Sequence, residues 1–67
     1  MNNDLAHEII DRLCVIEHNY TTGKRTSDQH YQDLRRVWDD LYYSKAYKKS
    51  HALAKIYAGL TRIITEA

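Results

Sequence analysis

Three apolar stripes at helical spacing, in a chain without proline, leave few folds open to these 67 residues. The stripes are Leu5-Ile9-Leu13-Ile16-Tyr20, Tyr31-Leu34-Trp38-Leu41 and Leu53-Ile56-Leu60-Ile63. Steps of three and four residues put the members of each on one face of an α-helix. A chain this short can cover three such faces only by packing helix on helix or by recruiting a second copy. The expected fold is therefore all-α, one domain over residues 1–67, with two or three antiparallel helices packed on Trp38.

The size of the chain favours the second copy as well. A core of this size is marginal, because a small fold leaves much of its surface wet. The single cysteine, Cys14, excludes an internal disulfide, and no His/Cys cluster has zinc-finger spacing. Association is the remaining common support, so a homodimer is expected. The N-terminus is polar and acidic, unlike a signal peptide. No apolar run approaches the roughly 20 residues that span a bilayer. These features predict a cytoplasmic protein, of a cell or of an infected host cell, without membrane contact.

Helix boundaries follow from punctuation. The first helix is expected over about 3–20, with Asn2, Asn3 or Asp4 as cap and Asp4 and Glu8 near the positive end of its dipole. Gly23, in Thr21-Thr22-Gly23-Lys24-Arg25-Thr26, can take positive φ. Thr26-Ser27-Asp28-Gln29 reads as a capping box, opening a second helix over 27–44. Its buried face is expected to comprise Tyr31, Leu34, Val37, Trp38, Leu41 and Tyr42. Continuing that helix would put Lys45 and Lys49 on the seam, and the apolar spacing resumes at Leu53 rotated by about 70°. That favours a break near Ser44 to Ser50, with Ser50 capping a third helix over 50–66. No Gly, Pro, Asn or Asp stands there to turn the chain, which leaves one long or kinked second arm as the alternative. Gly59, amid Ala52, Ala54 and Ala58, makes the third helix the candidate dimer seam.

Charge is segregated. Residues 1–40 hold eight acids and five bases, whereas residues 41–67 hold five bases and only Glu66. Tyr43 and Tyr47 stand among Lys45, Lys48, Lys49, His51 and Lys55, and Arg36 can extend their surface. Tyrosine rings amid positive charge suit a protein interface. Lysines with stacking rings also suit phosphates and bases. The expected partner-binding residues are Tyr43, Lys45, Tyr47, Lys48, Lys49 and Arg36.

Signals for chemistry are thin. His7, Asp11, Cys14 and His18 share one line of the first helix, but a straight line is poor tetrahedral geometry. They read as a solvated face, with Cys14 half-buried at its edge. Asp39 and Asp40 diverge on a helix, and Asp40 is expected to pair with Arg36 one turn back. There is no phosphate loop, nucleophile elbow or H-E-x-x-H. No enzyme, cofactor or metal site is expected. The sequence points to a small interaction protein that binds and modulates another protein, as small bacterial regulators or phage-encoded inhibitors do. The alternative is a nucleic-acid-binding regulator using the Tyr/Lys face of residues 42–55.

Overall fold

A computed structural model describes the backbone of residues 2–66 and the side chains of residues 5–66. The chain forms three helices, α1 (Asn2–Thr21), α2 (Ser27–Ser44) and α3 (His51–Glu66), with a 3-10 turn at Ala46–Lys48 between the last two. No strand occurs among the described residues. The fold is a small all-α bundle, and the break in the second arm is present. The side chains of Asn2, Asn3 and Asp4, the expected caps of α1, lie outside the described residues.

The first link is built from local hydrogen bonds. Gly23 takes φ +82° at the end of α1. Its N–H donates to Tyr20 C=O at 3.1 Å, and Lys24 N–H donates to Asn19 C=O at 2.9 Å, the paired bonds of a Schellman cap. The capping box follows: Gln29 N–H donates to Thr26 Oγ1 at 3.2 Å, and Thr26 N–H donates to Gln29 Oε1 at 3.0 Å. Arg25 then clamps Asp33 with two hydrogen bonds of 3.1 and 3.0 Å.

α2 is the central element. α1 and α3 both pack on it, while α1 and α3 scarcely approach each other. The ion pair Arg12–Asp40 at 2.7 Å and the stacked rings of Tyr20 and His30 hold α1 antiparallel to α2. The His30 Nε2 atom lies 3.2 Å from Glu17, while its Nδ1 is buried without a hydrogen-bond partner. Trp38 Nε1–H donates to Thr61 Oγ1 at 2.7 Å, tying α3 back along α2.

Val37, Leu41 and Leu53 are the largest fully buried side chains, and Ala6, Ile9, Leu34, Ala46 and Leu60 complete the core. Trp38 is not its centre. It is half-buried at the edge, because a buried indole N–H needs an acceptor and Thr61 offers one near the surface. Tyr42, expected on the buried face, is 45% exposed. Asp40 pairs with Arg12 across the helices rather than with Arg36, and Asp39 takes Arg35 at 3.3 Å. Ser50 precedes α3 as expected, but its carbonyl accepts from Ala54 N–H at 2.9 Å with no accompanying hydroxyl bond among the described residues. Cys14 is exposed rather than half-buried.

Candidate functional site

The corner where α2 gives way to α3 depends on one unusual backbone position. Lys45 adopts φ 57° and ψ 26°, left-handed geometry that disfavours a side chain. Its N–H donates to Tyr42 C=O at 3.2 Å, and the next amide, Ala46 N–H, turns to Ser44 Oγ at 3.3 Å. The bend drives Ala46 into the core, where it is 1% exposed. The 3-10 bonds Lys48 N–H to Lys45 C=O (3.0 Å) and Lys49 N–H to Ala46 C=O (2.9 Å) then hold the lysines outward.

An array of rings backs this corner. Tyr47 stacks on Tyr57 at 4.3 Å, Tyr57 on Trp38 at 5.6 Å, and Trp38 on Tyr42 at 5.1 Å, all within 16° of parallel. Tyr43 meets Tyr42 edge-on at 5.2 Å and 82°. Such pairs add to the stabilisation from burial. The Arg35 guanidinium lies 5.3 Å over the Trp38 ring, and Lys48 Nζ lies 5.9 Å from the centre of the Tyr47 ring. Asp39, through its hydrogen bond and its charge, raises the Arg35 pKa above its ordinary value, with a smaller contribution from Tyr31.

The corner segment carries Tyr43, Lys45, Lys48 and Lys49, all exposed. Tyr43 is the most open large hydrophobic side chain among the described residues, at 78%. Tyr47 belongs to the same segment, but it is half-buried and its ring face is taken by Tyr57. Arg36 stands two turns back along α2 from Tyr43, on the same helical stripe. It opens onto a groove of about 740 Å³ between α1 and α2, shared with His7, Asp11, Val15 and Asp33. Tyr42 is a member of the site that sequence reasoning missed. Its spacing of four from Trp38 was the available signal, since such pairs stack on a helix surface.

Charge pairing engages arginines rather than lysines. Arg12, Arg25, Arg35 and Arg62 each have a carboxylate partner. No lysine forms an ion pair among the described residues. His7, Asp11, Cys14 and His18 are all exposed on α1. No group of three or more His, Cys, Asp or Glu side chains is placed to hold a metal ion among the described residues. No helix is long and apolar enough to cross a membrane among them. Comparison with protein-family models, with curated proteins and with solved structures finds no match.

Proposed function

We propose that this chain is a non-enzymatic binding protein of the cytoplasm, a small homodimeric regulator or inhibitor such as bacteria and phages encode. It docks on an acidic surface of another protein through Tyr43, Lys45, Lys48 and Lys49. The observation that carries this reading is the exposed Tyr43 ring in a segment with three exposed lysines that form no ion pair among the described residues. Tyrosine is enriched among interface hot spots, and charged side chains belong to the polar rim around them. The edge-on contact with Tyr42 gives the anchor a neighbour to lean on before binding, and each restraint of that kind lowers the ordering cost of association.

The same lysines could face phosphates, but the rings favour protein. Single-strand binders offer successive stacking platforms. Here Tyr47, Tyr57 and Trp38 stack on one another, and Tyr43 is turned across the array. The test is capture from the native host with wild type and with the Tyr43→Ala/Lys48→Glu/Lys49→Glu variant as bait. An acidic protein retained by wild type and lost by the variant supports the reading. Equal capture by both baits removes it. A shift of generic duplex that weakens steeply with salt assigns the corner to nucleic acid instead.

A further inference from the structure

The groove of about 740 Å³ between α1 and α2 carries charge that the protomer does not neutralise. Val15, 58% exposed, and the half-buried Ile16 give it an apolar patch. Two of its charged side chains are engaged within the fold, Arg12 by Asp40 and Asp33 by Arg25. Glu8 and Asp11 are different. Both are exposed, and neither forms an ion pair among the described residues. Three residues apart, they stand on one face of α1. Arg36, likewise without an ion pair among the described residues, belongs to the α2 bank. The groove therefore offers an apolar patch, an acidic bank and one cation on the other bank.

The corner offers the converse. Lys45, Lys48 and Lys49 are exposed and without ion pairs among the described residues, and no Asp or Glu stands between Asp40 and Glu66. The open ring of Tyr43 can pack on Val15 and Ile16, and its face can take the Arg36 guanidinium. The two patches also adjoin. A smaller hollow of about 270 Å³ shares Glu8 and Arg12 with the groove and is lined as well by Ser44 and Ala46 of the corner. Groove and corner are thus neighbours along one seam. A two-fold axis through that hollow sets the corner of each protomer on the groove of the other.

We infer that the groove receives the corner of a second copy, with Tyr43 against Val15 and Ile16 and the lysines against Glu8 and Asp11. Charge complementarity selects this occupant, because each protomer brings both halves of the match and makes it twice. The dimer is then the masked form of the corner. This rests on the proposed function and adds its regulation: an acidic partner must displace the second copy to reach the lysines.

Sedimentation of the full chain across a concentration series, at low salt, tests the inference. Wild type is expected to be dimeric. Lys48→Glu/Lys49→Glu and Glu8→Lys/Asp11→Lys should each raise the dimer dissociation constant about tenfold or more, since each turns attraction into repulsion at both contacts. Mixed in equal amounts, the two variants should associate as wild type does, because reversed corner then meets reversed groove. Lys24→Glu/Arg62→Glu carries the same change in net charge as the corner variant, away from both patches, and should leave the dimer intact. A wild type that stays monomeric into the millimolar range overturns the inference. So does a dimer that resists both reversals, or one that mixing fails to restore. Capture from the native host separates this inference from the reading beneath it. Glu8→Lys/Asp11→Lys, its corner unmasked, should retain more of the acidic partner than wild type, and equal retention removes the masking. A monomeric wild type whose partner is lost with the corner variant leaves the proposed docking standing alone. A dimer that obeys the reversals while wild type and corner variant capture equally removes that docking instead, and the regulation with it.

Discussion

The two links of this chain make the same kind of turn by opposite means. At the first, Gly23 supplies the left-handed residue, two backbone bonds close a Schellman cap, and Thr26 and Gln29 start the next helix. Every part lies within the span of residues 19–29. At the second, Lys45 takes the left-handed position with its side chain still attached. Leu41 and Ala46, five residues apart and both buried, then lock the bend from inside. The first link is specified by local chemistry, the second by what it must pack against.

That contrast can be broken by mutation. Trp38→Ala removes the centre of the ring array and should cost about 3 kcal/mol, the lower end for a large aromatic because the indole is half-buried. Urea denaturation reads this directly, and an unchanged midpoint would show that the stack does not secure the second link. Ala46→Leu should cost about 1–3 kcal/mol by overfilling the site beneath the bend. A neutral result would mean that the 3-10 turn can lift away from the core.

The left-handed residues sharpen the comparison through sign. Gly23→Ala should lower stability by about 1 kcal/mol through backbone strain alone, since no atom lies within 4 Å of the new Cβ. Lys45→Gly should raise it by about 0.5 kcal/mol, because relief of the same strain outweighs the looser unfolded chain. Thermal melts of the pair decide the matter. A loss of stability in Lys45→Gly would mean that its side chain, rather than the core, holds the corner.

Legibility in the sequence divides along the same line. The capping box and the positive φ at Gly23 were readable, because each depends on neighbours in the chain, whereas the break after Ser44 was readable only from the rotation of the apolar stripe. The stripes also named most of the core, since helical period alone brings Ile9, Leu34, Leu41, Leu53 and Leu60 inward. The pairing of Asp40 was not readable. Arg36 is its neighbour in sequence, but the antiparallel approach of α1 brings Arg12 nearer. Nor was the station of Trp38, which depends on a hydroxyl 23 residues away. At the candidate surface, composition indicated Tyr43 and the lysines, yet gave Tyr47 and Arg36 equal standing. Only the packing of Tyr57 and the course of α2 separate them from the corner.

The lone tryptophan gives the protein a built-in reporter. Its indole is hydrogen-bonded to Thr61, flanked by Tyr42 and Tyr57, and one ring removed from Tyr43. Light absorbed by those phenols passes to it, and its emission colour depends on how wet its pocket is. An unlabelled titration in a fluorimeter can therefore watch the corner being occupied.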